Sequence, residues 1–165
     1  MNSKCIYKCY FDLHENVMRI ISFTSLLLLS FYYPSIILSV ISCVAFGHGK
    51  SANIVFTGGW DAMVCLWSVE KGDLIKELAY HTERITSICV SNDGKWLATS
   101  SADKSILLYD IEQDFKPVGR YYSMDECKSV CFGENTIVAG YSSGVIRVWP
   151  LCTDEKKEFF KSIKI

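Results

Sequence analysis

His81 and Asp103 are the residues whose types and spacing are most suggestive of chemistry in this 165-residue chain. An imidazole beside a carboxylate is the pair that forms and orients a general base in many enzymes. Catalysis would also need a nucleophile and a donor for a developing oxyanion, and no pattern of either kind accompanies the pair. A buried imidazole and carboxylate that satisfy each other can instead stabilise a fold without reacting. The sequence therefore predicts a structural role and no enzymatic activity.

The cysteines, of which the chain has eight, are the second group of potentially reactive residues. Cys5 and Cys9 are close in sequence, but no second pair at zinc-ligand spacing accompanies them, and His14 and His48 do not supply one. Several other cysteines fall inside β-rich runs, where a free cysteine behaves as a small apolar residue. We expect no metal, no other cofactor and no disulfide framework, which favours a reducing compartment, the cytoplasm or the nucleus.

Three stretches of the chain can be aligned on one another, and they supply the elements that would position His81 and Asp103. The aligned stretches are residues 40–46, 84–90 and 126–132. Each is followed by a turn, a second β-rich run, another turn and a third run, which ends at Trp67, Tyr109 or Trp149. These three aromatic residues lie 42 and 40 residues apart, a period typical of four-stranded propeller blades. The pattern predicts a repeat array, an architecture that usually presents binding surfaces.

These features resemble the WD40 family over roughly residues 36 to 163. The positions of its Trp-Asp dipeptide are occupied by Trp67-Ser68, Tyr109-Asp110 and Trp149-Pro150. Asp61, Asp103 and Ser143 each stand six residues earlier, in the turn between the second and third strands. The resemblance implies an all-β fold, a partial propeller of about three four-stranded blades. It places the repeat region at residues 36–165, with blades at about 40–80, 85–122 and 127–163.

The resemblance also assigns the histidine and the aspartate to a hydrogen-bonded set of four side chains inside a blade. The matching positions are His81, Thr99, Asp103 and Tyr109. In the first and third repeats Ile37 and Ser123 replace the histidine, and Ser143 replaces the aspartate of the third. The middle blade is therefore expected to be the most firmly held.

By the same resemblance, partners bind at a rim formed by the start of each first strand and by the residue before each turn aspartate. The residues expected to contact a protein partner there are Trp60, Arg84, Thr86, Glu126 and Lys128. Trp60 and Arg84 are the strongest candidates, because aromatic and arginine side chains dominate binding hot spots. The alternatives are that Trp60 packs flat on the two glycines before it and that Arg84 is a solvated charge near Glu83.

The charge of the chain, formally −1, does not imply a field that attracts polyanions. The most basic stretch is Lys156, Lys157, Lys161 and Lys164 around Phe159-Phe160. We interpret it as a solvated edge strand whose lysines discourage pairing with other strands. No nucleic-acid partner is expected.

The first 35 residues are predicted to lie outside the propeller, as an apolar segment that is helical or disordered. Residues 20–39 contain thirteen apolar residues among twenty, a length that would span a bilayer. However, no linker separates them from Val40, where an innermost strand begins. Three interpretations stay open: a membrane or secretory segment, an artefact of the gene model, or an apolar segment that covers an open propeller flank.

The function that the sequence favours is a non-enzymatic WD40 scaffold for protein–protein interactions, as a subunit or fragment of a larger assembly. One alternative is a membrane-anchored WD40 protein with an N-terminal transmembrane helix. Another is a truncated gene product without independent function. Because closed propellers have about four to eight blades, three blades leave two flanks open, and self-association through these flanks is also expected.

Overall fold

The computed structural model describes residues 10–12, 17–19, 40–151 and 161–164, with side chains described over 40–151. Strand β1 (Tyr10–Asp12) pairs with β2 (Val17–Arg19) in a small antiparallel sheet. The other described strands form three antiparallel sheets of four strands each, and in each sheet the strands follow one another in chain order. This is the arrangement of propeller blades, and the predicted all-β fold class is confirmed.

Blade 1 contains β3 (Ile41–Phe46), β4 (Ile54–Gly59), β5 (Val64–Ser68) and β6 (Leu74–Leu78), with a short 3-10 turn (Gly49–Ser51) between β3 and β4. Blade 2 contains β7 (Ile85–Val90), β8 (Trp96–Ser101), β9 (Ser105–Asp110) and β10 (Lys116–Tyr122). Blade 3 contains β11 (Cys127–Phe132), β12 (Thr136–Tyr141), β13 (Val145–Pro150) and β14 (Lys161–Lys164).

The turn between the second and third strands has the same design in every blade. Its central residue has a positive φ of 66° at Ala62, 66° at Lys104 and 77° at Gly144. In blades 1 and 2 the preceding aspartate, Asp61 or Asp103, accepts a hydrogen bond from the backbone N–H two residues on, at 3.1 and 2.9 Å. Such Asx turns stabilise a left-handed residue that is not glycine. In blade 3 glycine takes that position without strain.

The core lies between the blades, as expected for stacked repeats. The cluster between blades 1 and 2 contains Phe56, Val64, Leu66, Leu78, Ile85, Ile88, Val90, Leu97, Leu107, Tyr109 and Phe115. The cluster between blades 2 and 3 contains Ala98, Ile106, Leu108, Cys127, Val130, Ile137, Ala139, Tyr141 and Trp149. Blade 2 contributes to both clusters because its two faces contact different neighbours.

The hypothesis of a transmembrane segment concerns residues 20–39, which lie outside the described residues, as do Cys5, Cys9 and Lys156. Within the described ranges, no helix has the length and apolar character needed to cross a membrane.

Candidate protein-binding rim

One end of every blade carries the same backbone hydrogen bond. The N–H groups of Trp60, Ala102 and Ser142 donate to the carbonyl oxygens of Val40, Arg84 and Glu126 at 2.9, 3.0 and 3.0 Å. These bonds join the end of each second strand to the residue just before the first strand. We call this end of the three blades the rim, meaning residues 40–42, 60–62, 84–86, 102–104, 126–128 and 142–144. All five residues predicted to contact a partner lie on it.

Trp60 lies on the rim of blade 1, and the residue is 60% exposed. The guanidinium carbon of Arg84, from the adjacent blade, lies 5.9 Å from the centre of the Trp60 ring. That distance is within the range of a cation–π contact. The structure thus brings together the two residues that the sequence ranked highest, and it leaves most of the indole accessible.

Glu126 continues this arrangement onto blade 3. One carboxylate oxygen accepts a hydrogen bond from Arg84 Nη2 at 2.7 Å, and the other lies 2.7 Å from Nζ of Lys128. The bonds from Lys128 and then from Arg84 hold the pKa of Glu126 below its ordinary value. Because exposed ion pairs contribute little to folding, at most about 1 kcal/mol, we interpret them mainly as fixing the directions of these side chains.

Trp60, Arg84, Glu126 and Lys128 therefore form a continuous row across three blades, which we call the rim row. It presents one large aromatic surface, two cations and one anion. Sequence reasoning named all four residues but did not connect Arg84 to Glu126, whose bond spans 42 positions of the chain. The alternative partner considered for Arg84 was Glu83, its neighbour in sequence.

Thr86, the fifth predicted contact, uses its hydroxyl inside the protein. The Oγ1 atom donates to the carbonyl oxygen of Cys127 at 2.6 Å and lies 2.9 Å from the Ser100 hydroxyl. In blade 1 the Ser42 hydroxyl reaches the carbonyl oxygen of Ile85 in the same way. Both residues sit at a β-bulge of the first strand, between Ile41 and Cys43 or between Ile85 and Ser87. These hydroxyls join successive blades, a role that sequence reasoning missed.

Three of the four residues in the predicted set, His81, Thr99 and Asp103, are hydrogen-bonded in blade 2, and their side chains are buried. Nδ1 of His81 lies 2.8 Å from an oxygen of Asp103, and Nε2 lies 2.9 Å from the Thr99 hydroxyl. Ser105, which was not predicted, donates its hydroxyl to the second Asp103 oxygen at 2.7 Å. Burial lowers the pKa of His81 below its ordinary value of 6.5, and the attraction of Asp103 opposes this only in part. Since both ring nitrogens have partners, neither is available to a substrate.

Tyr109 was expected to be the fourth member of the set, but it does not join it. Its ring is buried, but its hydroxyl forms no hydrogen bond with any described residue, although Thr99 is nearby. Tyrosine carries its polar atom at the tip of the ring, whereas tryptophan carries its N–H on the edge of the indole. The two side chains therefore place their polar atoms at different points of the blade. Blade 1 shows that geometry, because Trp67 Nε1 donates to the Thr57 hydroxyl at 2.9 Å. The first repeat therefore keeps part of the set that it was expected to lack.

The cysteines of the described region are free thiols. Burial raises the pKa of Cys127 to about 11, so this thiol stays protonated near neutral pH. No group of three or more histidine, cysteine, aspartate or glutamate residues in the described part of the chain is arranged to hold a metal ion.

The fold and the repeated rim define a set of propeller blades of the WD40 type. Residues 38–68 and 72–110 match the family model for the WD domain, G-beta repeat. Two WD40 repeats are therefore recognised in this chain, in the residues that form blades 1 and 2. The third blade follows the same strand order and the same rim hydrogen bond, although the family model does not extend to it.

The chain spans about a third of the length of the curated relative it matches. A curated relative, small ribosomal subunit protein RACK1 of Neurospora crassa, is 27% identical over 108 residues, which cover 64% of this chain and 34% of the relative. The solved structure of U3-55K has a TM-score of 0.65 at 19% identity over 76% of this chain and 39% of its own. The Cps50 (Swd1) β-propeller domain of Myceliophteria thermophila has a TM-score of 0.63 at 16% identity, with 77% and 39% covered. At these identities the structures support the fold alone.

Proposed function

We propose that this chain is a non-enzymatic WD40 scaffold that binds another protein through the rim row. The observation that supports this most is the exposed Trp60 ring beside Arg84, with Glu126 and Lys128 completing the row. Tryptophan and arginine are the residues most enriched in binding hot spots, since they bury large areas and make directional bonds. Trp60 is 60% exposed, so most of its surface is accessible to a partner.

The rim row fits a partner segment that carries an apolar side chain next to a carboxylate. The apolar side chain would cover the Trp60 ring. Arg84 and Lys128 each keep unused N–H donors after their bonds to Glu126, and two cations against one carboxylate leave the row positive. An incoming carboxylate would therefore gain charge-assisted hydrogen bonds.

We also propose that the chain acts as a subunit of a larger assembly in the cytoplasm or the nucleus. The curated relative is named as a ribosomal subunit protein, and the chain matches about a third of that relative. The formal net charge of −1 favours protein over nucleic acid as the contact within such an assembly. Sedimentation of a tagged chain through a density gradient would test this proposal, because a subunit travels with particles much larger than 18.7 kDa.

Photo-crosslinking from position 60 tests the rim directly. A benzoylphenylalanine placed at Trp60 should yield a defined crosslinked protein in cells. The same probe at Lys116, an exposed residue at the opposite end of blade 2, is the matched control. Crosslinks of equal yield from both positions, or from Lys116 alone, would contradict the rim as the binding surface.

Truncation of the two anchors then measures their contribution. Trp60→Ala and Arg84→Ala should each weaken binding of the purified crosslinked partner about 30-fold, which corresponds to roughly 2 kcal/mol. Lys116→Ala and Lys156→Ala should change the affinity less than about twofold. The rim assignment fails if the rim variants keep full affinity while the Lys156 variant loses it, because the basic C-terminal strand would then be the site.

A further inference from the structure

The contact between blades 1 and 2 contains a side chain that fits into a hollow. The hollow lies over Gly58 on β4, and the inserted side chain is Ile85, the first residue of β7. A Cβ added to Gly58 would lie only 2.5 Å from Cγ2 of Ile85 and 2.8 Å from its Cβ. Glycine is therefore required at this position because the next blade packs directly on the backbone.

Gly140 occupies the same position in blade 3. Gly58 pairs with Val64 of the third strand and with Cys43 of the first strand, and Gly140 pairs likewise with Ile146 and Ser129. Among the described residues, nothing lies within 4 Å of a Cβ added to Gly140. Blade 3 thus repeats the hollow on its rear face, by which we mean the face that points away from blade 2.

The rear face of blade 3 is apolar around this hollow. It is formed by Cys131, which is exposed, and by Val138, Ile146 and Val148, which are half-buried. Their counterparts in blade 2 are Cys89, Ala98, Ile106 and Leu108, which pack against blade 3 in the second core cluster. The rear face of blade 3 is therefore as apolar as the equivalent face of blade 2, which packs against blade 3.

Blade 1 offers the complementary surface on its front face, the one that points away from blade 2. Ile41 opens β3 just before the bulge, as Ile85 opens β7. Val44 and Phe46 are 49% and 51% exposed, whereas their counterparts Ile88 and Val90 are 8% and 6% exposed against blade 1. The outer part of the same face, Val55, Cys65 and Trp67, is already buried. The accessible part of the front face accordingly runs along β3.

We infer that a second copy of this chain packs β3 of its blade 1 against the rear face of blade 3, with its Ile41 seated over Gly140. This contact between two copies would reproduce the contact that Ile85 makes with Gly58 within one chain. It joins different surfaces of the two copies, β3 of one and the rear face of blade 3 of the other.

The cross-blade hydrogen bond can also be reproduced in this dimer. Ser42 and Thr86 each donate to the first-strand carbonyl of the next blade, at Ile85 and Cys127. The counterpart of these donors in blade 3 is Lys128, and the counterpart of these acceptors in blade 1 is the carbonyl oxygen of Ile41. The Lys128 ammonium has three N–H donors, so it can bind this carbonyl as well as Glu126.

Measurement of the mass of the full 165-residue chain by sedimentation equilibrium tests the inference. The wild type should be a dimer. Gly140→Ala should raise the dimer dissociation constant at least about tenfold, because its methyl group would meet Ile41 of the second copy. The substitution should leave the unfolding midpoint of the monomer unchanged or higher, because nothing within a described blade crowds it and alanine is the better strand residue. Gly119→Ala, where a Cβ would make only ordinary contacts at 3.6 Å, should remain a dimer.

A mixing experiment tests whether the contact joins different surfaces. Val44→Glu blocks only the front face and Gly140→Ala only the rear face, so each variant alone should be a monomer at a concentration close to the dissociation constant of the wild-type dimer. An equimolar mixture should form a heterodimer through its one intact contact. A monomeric wild type, a Gly140→Ala variant that dimerises as tightly as the wild type, or a mixture that stays monomeric would each overturn the inference.

Discussion

His81 ties three parts of blade 2 together through a single imidazole ring. The residue precedes the first strand, Thr99 lies on the second strand, and Asp103 lies in the turn that follows it. Because the ring is buried, each of these bonds replaces a hydrogen bond to water, and the loss of one partner leaves a polar atom unsatisfied. The pair that first suggested catalysis therefore has both ring nitrogens of its histidine engaged within blade 2, and we expect its role to be in stability.

Replacement of the carboxylate tests this role. Asp103→Ala removes the partner of His81 Nδ1 and the acceptor for the Ser105 hydroxyl. We expect the free energy of unfolding to fall by about 1–3 kcal/mol, measured from urea midpoints. Asp61→Ala is the matched control, because Asp61 occupies the same turn position in blade 1 but is exposed. Equal losses for both variants would show that the turn alone, and not the buried pair, provides the stability.

The same pair predicts how stability depends on pH. Burial lowers the pKa of His81, while hydrogen bonds from Ser105 and His81 outweigh burial and hold the pKa of Asp103 below its ordinary value. With both pKa values lower in the folded state, the unfolded chain binds protons first as the pH falls. The contribution of His81 is complete above pH 6.5 and is lost progressively below it, and that of Asp103 is lost below pH 3.8. Urea midpoints should therefore decline below pH 6.5, and the decline just below that pH should be smaller in His81→Gln. Identical profiles for the two proteins would contradict this account.

At the level of strands and turns, sequence patterns predicted most of what the structure shows. The run of strand, turn, strand, turn and strand expected after each aligned stretch is found in all three blades, because turn and strand signals act over a few residues. The bulge hydroxyls of Ser42 and Thr86 were not predicted as links between blades. Their acceptors lie 43 and 41 residues away, so the bonds exist only after neighbouring blades have packed.

The turn at Gly94 gives a prediction at this scale. Gly94 has a φ of +70°, and a Cβ there would lie 2.0 Å from the carbonyl oxygen of His48 in blade 1. Gly94→Ala should destabilise the chain by more than about 2 kcal/mol, since backbone strain and a backbone clash add together. Gly144→Ala is the matched control, with a φ of +77° but open space around its Cβ among the described residues. Its cost should be only about 1 kcal/mol. Equal costs in thermal unfolding would mean that the approach of the two blades is looser than the structure shows.

At the scale of the whole molecule, the blades are linked in series through two internal interfaces. Stability in such arrays comes largely from contacts between neighbouring repeats, so blade 2, which packs on both sides, should be the most protected. The rim row depends on the same stacking. Arg84 reaches Trp60 on one side and Glu126 on the other only because blade 2 lies between the blades that carry them.

This dependence explains which parts of the site the sequence could predict. The rim positions of Trp60 and Arg84 follow from repeat alignment, since equivalent residues of each repeat lie at the same end of a blade. The ion pair from Arg84 to Glu126 and the second bond to Lys128 depend on side-chain conformations across a blade boundary. Repeat alignment gives the backbone position of each residue on the rim. Which side chains touch depends on how the blades pack.

Hydrogen exchange of the complex with the crosslinked partner tests the central claim that the rim binds a protein. Amide groups of residues 40–42, 60–62, 84–86 and 126–128 should become protected on binding, because the partner covers the rim row. Residues 92–95 and 112–115, at the opposite end of the blades, should exchange as in the free chain. Protection confined to that opposite end, with unchanged exchange around Trp60 and Arg84, would contradict the account.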